Sequence, residues 1–202
     1  SPSCWVVLDK FGIMDGKPED IPPASVLISM TKACPYNCEH CYQKLDSTKE
    51  MDILMLKYTC VQLQKIGVGY INIEGGEPLI RFERLMDMMS VISDRSEVWV
   101  NTTGYKVTRE QVDRMRESGV FGVMISIHHP DPKVHDSFVR HKGAHKQAVR
   151  ALKMFKRGGL ATMINCTGTQ DLVRGDGFDR IMDIAKDTGC MMVQLMAKTP
   201  GM

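Results

Sequence analysis

The 202-residue sequence lacks several features that would place it in other classes of protein. No apolar run approaches the roughly 18 residues that a membrane-spanning helix needs. No signal peptide opens the chain. A formal net charge of only +2 gives no clear signal for nucleic acid or membrane partners. Its 43% hydrophobic and 25% charged residues are typical of a globular protein. We therefore predict one domain with a sizeable core, located in the cytoplasm.

Cysteine is plentiful but unevenly distributed. Cys34, Cys38 and Cys41 lie within eight residues in a C-x3-C-x2-C spacing, whereas the other four of the seven cysteines are scattered. Without a secretory signal, a disulfide framework is not expected in a chain of this size. Three thiolates from one loop can bind three irons of a [4Fe–4S] cube and leave the fourth iron free to bind a small molecule. Zinc stays open as an alternative, because His40 could supply a fourth ligand.

Apolar runs rich in β-branched residues alternate with helical periodicity along the chain. The first 23 residues contain four prolines without a sustained period, which predicts an irregular extension before a core at 24–202. Six strands are predicted at 24–30, 69–74, 97–103, 120–127, 160–167 and 190–196. Capping boxes at Ser47–Glu50 and Thr108–Gln111 are expected to begin helices. A long polar loop is expected after the fourth strand, before a helix at 144–157.

This alternation predicts an α/β fold in which crossover helices join parallel strands. The architecture is either a doubly wound sheet or a barrel, complete or partial. In both, the carboxyl ends of the strands meet at one edge, where ligands bind. The unusual stretches follow strand ends there: the cysteines, Gly75-Gly76-Glu77-Pro78, Asn101–Gly104, and Ser126 with His128. We therefore predict a single site at this edge, with Thr162, Asn165 and Thr167 as further candidates to line it.

Two motifs give the chain a family resemblance. Cys34-Pro35-Tyr36-Asn37-Cys38-Glu39-His40-Cys41-Tyr42 is similar to the signature of the radical S-adenosylmethionine (radical SAM) superfamily, and the GGEP stretch 75–78 resembles its second motif. His135-Asp136, Arg140 and the helix that follows resemble the subgroup of peptide-modifying maturases and MoaA-like enzymes. The resemblance covers about residues 24–202 and implies a partial (β/α)6 parallel barrel. Relatives often add a cysteine-rich C-terminal domain, and this sequence shows no second cysteine group. We therefore expect either no auxiliary clusters or a chain truncated at the C-terminus.

The resemblance also implies an activity. The open iron would bind the amino and carboxylate groups of S-adenosylmethionine (SAM), and an electron from a donor such as flavodoxin or ferredoxin would release a 5′-deoxyadenosyl radical. That radical takes hydrogen from a peptide or small-molecule substrate, which no motif here names. The implied cluster ligands are Cys34, Cys38 and Cys41, and the implied cofactor-binding residues are Tyr42, Gly75, Gly76, Glu77, Pro78, Asn101, Ser126 and Arg140.

Some of these residues have an implied role. Glu77 would accept a hydrogen bond from the ligand ammonium, and Arg140 would pair with its carboxylate. His128 stands where many relatives carry an acidic residue, which puts a ribose or substrate contact at this position in doubt. The alternatives are a zinc- or cluster-binding structural or regulatory α/β protein without catalysis, and a radical SAM-like domain that has lost catalysis and serves as a binding module.

Overall fold

The computed structural model describes residues 23–38, 40–45 and 49–197, so almost all of the predicted N-terminal extension lies outside the described residues. Its strands are β1 (Ser25–Ser29), β2 (Tyr70–Glu74), β3 (Glu97–Thr102), β4 (Val120–Ser126), β5 (Ala161–Gly168) and β6 (Met192–Ala197). Its helices are α1 (Ile53–Lys65), α2 (Phe82–Met89), α3 (Arg109–Glu117), α4 (Pro132–Val139), α5 (Ala144–Arg157), α6 (Gln170–Arg174) and α7 (Gly177–Thr188). Two 3-10 helical turns span Tyr42–Leu45 and Pro78–Arg81.

The order of the strands decides between the two predicted architectures. All five neighbouring pairs are parallel, and the spatial order β1-β2-β3-β4-β5-β6 is the chain order. In a doubly wound sheet the spatial order of the strands reverses at a switch point, whereas in a barrel each strand is added next to the preceding one in the chain. The sheet curls into a half-barrel, so the predicted partial (β/α)6 barrel is confirmed.

The main core lies between the outer face of the sheet and the helices. Ile73, Val100 and Ile125 of the strands are fully buried there against helix residues such as Leu85 and Phe155. Each such side chain stabilises the fold by about 1.5–3 kcal/mol relative to exposure. The inner face of the sheet is different. A small cluster of Trp99, Met124 and Met163 closes its lower part, and polar side chains lie above this cluster.

The predicted start of the first helix is wrong. Helix α1 begins at Ile53, and the Asp52 side chain caps it by accepting a hydrogen bond from Met55 N at 2.9 Å. Glu50 instead accepts hydrogen bonds from the Thr31 hydroxyl at 2.8 Å and from Lys32 N at 2.6 Å. Ser47 lies outside the described residues. The Thr108–Gln111 capping box, in contrast, is confirmed at the start of α3.

The predicted long loop after β4 is also wrong, because half of it forms helix α4. Asp131 caps this helix by accepting hydrogen bonds from Lys133 N at 2.7 Å and Val134 N at 3.3 Å, and Pro132 occupies its first position. This pair is a regular helix-start signal. The polar composition of the segment obscured it. The consequence for the site is that His135 and Asp136 lie on a rigid element.

Candidate active site

The GGEP turn fixes the base of the cysteine loop. Gly76 N donates to Thr31 O at 2.6 Å and Glu77 N donates to Ala33 O at 2.8 Å, which continues the β1–β2 pairing beyond both strands. A Cβ atom at Gly75 would lie 2.3 Å from Thr31 O, and one at Gly76 would lie 2.2 Å from Ala33 O. The family resemblance implies that Gly75 and Gly76 bind the cofactor, and both line the cavity described below. The close approach seen here is to the segment that leads into Cys34.

Helix α4 and the residues around its end hold the other side of the cysteine loop. Asn37 N donates to Val139 O at 3.3 Å, and the ring of Tyr36 stacks on His141 with centroids 4.4 Å apart. The ring of His40 stacks on Phe138 at 4.6 Å. The loop is therefore clamped between the end of β2 and helix α4.

None of the three cysteines on this clamped loop forms a disulfide with another described residue. Cys34 is exposed and Cys38 and Cys41 are half-buried. Partial burial raises the pKa of the Cys34 thiol, although the Tyr36 N–H that donates to its sulfur at 3.4 Å opposes the effect. The described parts of the chain hold no group of three or more His, Cys, Asp or Glu side chains gathered around one ion. This finding concerns sites for a single ion. A [4Fe–4S] cubane does not need its protein ligands to meet at one point, because each thiolate binds a different iron.

The loop faces a cavity of about 170 Å³ at the carboxyl edge of the sheet. Its walls bring together most of the predicted site residues, namely the three cysteines with Tyr42, Gly75, Gly76, Asn101 and Ser126. Asn165, which the sequence placed among the weaker candidates, also lines it. Residues from all six strands or from the turns that follow them thus meet in one place, since Met196 of β6 also lines the cavity.

Three predicted ligand contacts, Glu77, Pro78 and Arg140, do not line this cavity. Pro78 is buried and begins a 3-10 turn, where its role is to set the backbone. Arg140 ends α4 in the left-handed conformation, with φ of 53°, and its side chain is exposed. Its pairing with a ligand carboxylate stays a prediction.

Glu77 is completely buried and already has four hydrogen-bond donors. Its Oε1 accepts from Leu79 N at 3.0 Å and from the Thr102 hydroxyl at 2.6 Å. Its Oε2 accepts from Thr103 N at 2.7 Å and from the Thr103 hydroxyl at 2.5 Å. Burial raises the pKa of this carboxyl, and the four hydrogen bonds oppose the rise. A carboxylate has about four acceptor positions. In this structure Glu77 therefore ties the end of β3 to the GGEP turn.

Glu74 and Tyr42 form a second link at the mouth of the cavity. The Tyr42 hydroxyl donates to Glu74 Oε1, and Asn101 Nδ2 donates to Glu74 Oε2 at 3.1 Å. Burial, followed by the Glu74 carboxylate, raises the pKa of Tyr42. The aromatic residue after the third cysteine thus connects the loop to β2 and β3.

Two histidines at the inner wall were not among the predicted cofactor-binding residues. His128 is buried, and its Nδ1 accepts from Thr167 N at 3.2 Å, while His135 Nδ1 accepts from His128 N at 3.1 Å. Burial lowers the pKa of His128 well below its usual value and that of His135 to about 4. Both rings are therefore neutral at pH 7. The sequence placed His128 at this edge of the sheet, whereas the burial of His135 depends on the packing of α4.

Several amide oxygens near the cavity are buried without a hydrogen-bond donor. They belong to Asn72, Asn101 and Asn165, and the last two line the cavity. A buried polar atom without a partner costs about 1–3 kcal/mol. The inner wall is therefore suited to a ligand that carries hydrogen-bond donors.

The comparisons with known proteins agree with this geometry. The sequence profile of the radical SAM superfamily matches residues 28–188. The chain is 28% identical over 180 residues to PqqA peptide cyclase from Streptomyces rochei, which covers 86% of this chain and 48% of that protein. It is 29% identical over 164 residues to AdoMet-dependent heme synthase from Nitratidesulfovibrio vulgaris, which covers 76% of this chain and 43% of that protein. The chain therefore spans less than half the length of these two enzymes.

Solved structures show the same fold. SuiB from Streptococcus suis bound to S-adenosylmethionine superimposes with a TM-score of 0.75 at 15% identity, covering 88% of this chain and 41% of SuiB. SuiB has also been solved with its precursor peptide SuiA, with a TM-score of 0.73. Separately, no helix within the described ranges is long and apolar enough to span a membrane.

Proposed function

Because the chain belongs to the radical SAM superfamily, we propose that Cys34, Cys38 and Cys41 hold a [4Fe–4S] cluster whose fourth iron binds SAM. The observation that carries this proposal is the convergence of the three cysteine side chains with the GGEP turn on one cavity at the carboxyl edge of the sheet. The family match over residues 28–188 and the SAM-dependent relative support it.

The residues of the cavity fit both groups. Three thiols from one loop match the three irons of a cubane that need protein ligands. SAM carries an ammonium group, two ribose hydroxyls and an adenine amine, all of them hydrogen-bond donors. The buried amide oxygens of Asn101 and Asn165 could accept from such donors.

Cys34, Cys38 and Cys41 would hold the cluster, which would supply the electron for reductive cleavage of SAM and so the means to abstract hydrogen from the substrate. The chain itself positions the reactants. Glu77, Thr102 and Thr103 hold the GGEP turn against β3, and the turn holds the cysteine loop. Neutral His128 and His135 form a wall with little capacity to donate protons at pH 7, because burial lowers the pKa of both rings.

For the substrate we propose a peptide. PqqA peptide cyclase acts on a peptide by its name, and SuiB is known with a precursor peptide bound. The heme synthase among the relatives shows that a small molecule is the competing class. Turnover of isotope-labelled SAM with candidate peptides and tetrapyrroles, followed by mass spectrometry, would distinguish the two.

Anaerobic reconstitution with iron and sulfide tests the activity. We expect a brown protein that forms 5′-deoxyadenosine from SAM after reduction with dithionite. Cys38→Ala should lose both the colour and the product, whereas Cys60→Ala, which alters a buried cysteine of the main core, should keep both. A colourless wild-type protein with one tightly bound zinc would contradict the proposal, as would a brown protein that never cleaves SAM.

A further inference from the structure

Five of the seven residues that line a groove between α3 and α5 carry a positive charge. Helix α5 contributes Lys146, Arg150, Lys153 and Arg157, α3 contributes Arg109, and Val149 and Met154 add apolar surface between them. The groove has a volume of about 500 Å³. We call it the cationic groove. It lies on the outside of the half-barrel and shares no lining residue with the cavity that the cysteines face.

The spacing of the four cations of α5 places them on one face of the helix. Lys146, Arg150, Lys153 and Arg157 follow one another at i, i+4, i+7 and i+11, so they form one stripe about 16 Å long on the helix. Helix α5 contains no acidic residue. Like charges at i, i+4 weaken a helix by a few tenths of a kcal/mol. The stripe therefore does not serve the stability of α5.

Packing does not explain the stripe either. The inner side of α5 already buries Ala148, Ala151, Leu152 and Phe155 in the main core. All four cations of the stripe are exposed. Arg109 is ion-paired with Asp113 at 3.0 Å, but none of the four α5 cations has an ion pair with another described residue. Most of the positive charge of the groove is thus available to a partner.

The upper end of the groove adjoins the cysteine loop. Ala144, the first residue of α5, is buried in a cluster with Tyr36 and Val139, against which Cys38 packs. Lys146 lies only two residues further along the helix. The groove therefore begins near the end of α5 that packs against the cysteine loop.

We propose that the cationic groove docks an acidic one-electron donor protein of the flavodoxin kind. This inference rests on the proposed function, because cleavage of SAM requires one electron that the chain cannot supply alone. In the docked complex the donor loses one electron and the oxidised cluster gains it, with no bond made or broken. Charge complementarity and the contact of α5 with the cysteine loop favour this partner. A nucleic acid would be attracted by the same side chains but has no electron to deliver, so it is the alternative that the measurements below test.

Binding to purified bacterial flavodoxin tests the docking directly. A K146E/R150E/K153E variant should bind immobilised flavodoxin about tenfold more weakly than wild type at low salt, since three exposed charge pairs are lost. Wild-type binding should weaken as salt is added. The matched control is R174E/R180E/K186E, which makes the same change in charge at exposed positions of α6 and α7. If groove and control variants bind equally well, or if wild type shows no binding, the docking site is wrong.

A second measurement separates this inference from the proposed function. In reconstituted protein, the groove variant should form 5′-deoxyadenosine slowly with reduced flavodoxin but at the wild-type rate with dithionite, a small reductant that needs no docking. No product from wild type with dithionite would overturn the proposed function and leave the binding result standing. Equal rates of the groove variant and wild type with flavodoxin would overturn the docking. Tighter binding of a 20-base-pair DNA duplex than of flavodoxin would identify the groove as a nucleic acid site instead.

Discussion

The Glu77 side chain has no exposed surface, and its two carboxylate oxygens accept four hydrogen bonds. Glu77→Ala leaves buried donors of Leu79 and Thr103 without an acceptor and should lower the free energy of unfolding by roughly 3–5 kcal/mol. Glu77→Gln keeps the shape but points an amide nitrogen at two donors, so about half that loss is expected. Urea denaturation measures both. A loss below about 1 kcal/mol for Glu77→Ala would show that these hydrogen bonds do not hold the turn.

Asn165 offers a residue-scale test of ligand binding without loss of stability. Its Oδ1 is buried without a donor in the free protein, so Asn165→Ala should leave the melting temperature unchanged or slightly higher. Loss of one hydrogen bond to SAM should weaken its binding to the reconstituted protein about fivefold. Asn72→Ala is the control, because its buried oxygen does not line the cavity. Equal affinities for the two variants, measured by equilibrium dialysis, would exclude Asn165 from the site.

At the scale of elements, the GGEP turn and the cysteine loop behave as one unit. A methyl group at Gly76 would collide with the backbone of Ala33, and backbone cannot move aside as a side chain can. Gly76→Ala should therefore lower both the melting temperature and the iron bound per chain after reconstitution. Gly175→Ala is the control, because nothing lies within 4 Å of its added Cβ and its φ of −113° suits alanine. Full iron content in Gly76→Ala would refute the coupling.

Helix α4 couples the site to pH through His135. Because burial lowers the pKa of His135 to about 4, the folded state favours the neutral ring. Its contribution to stability is complete above the unfolded pKa of about 6.5 and is lost as pH falls towards 4. Between pH 7 and pH 5 this loss is about 2 kcal/mol.

His135→Asn retains an acceptor for His128 N and removes the titrating group, so its stability should fall less over this range. His128 and His145, whose pKa values burial also lowers, should leave a residual slope. Urea denaturation of both proteins at pH 5, 6 and 7 measures the difference. Parallel slopes would contradict the assignment.

The elements also show how far the sequence could be interpreted. The pattern of apolar residues predicted all six strands. The cysteine spacing and the GGEP stretch predicted the site at the strand ends. Both signals are local in the sequence. The sequence pattern could not predict that Thr102 and Thr103 would occupy the carboxylate of Glu77, since these residues meet only after β2 and β3 pair. It also missed α4, although Asp131-Pro132 is a helix-start signal. The burial of His135 depends on that helix.

At the scale of the whole molecule, the one-way strand order explains why the site is single. Each parallel strand delivers its following turn to the same edge, and the curl of the sheet brings those turns around one cavity. Helices cover the opposite face, and the cationic groove lies between two of them, α3 and α5. The fold thus separates the inner surface proposed for the cofactor from the outer groove proposed for a protein partner.

The central claim is that three cysteines of one loop hold a cluster whose fourth iron binds SAM. Electron paramagnetic resonance of the reconstituted, dithionite-reduced protein, recorded with and without SAM, tests it most directly. We expect the signal of a reduced [4Fe–4S] cluster whose g-values shift when SAM is added, because a ligand at the open iron changes the electronic structure of the cluster. A cluster signal that SAM leaves unchanged, or no cluster signal in the wild-type protein, would contradict it.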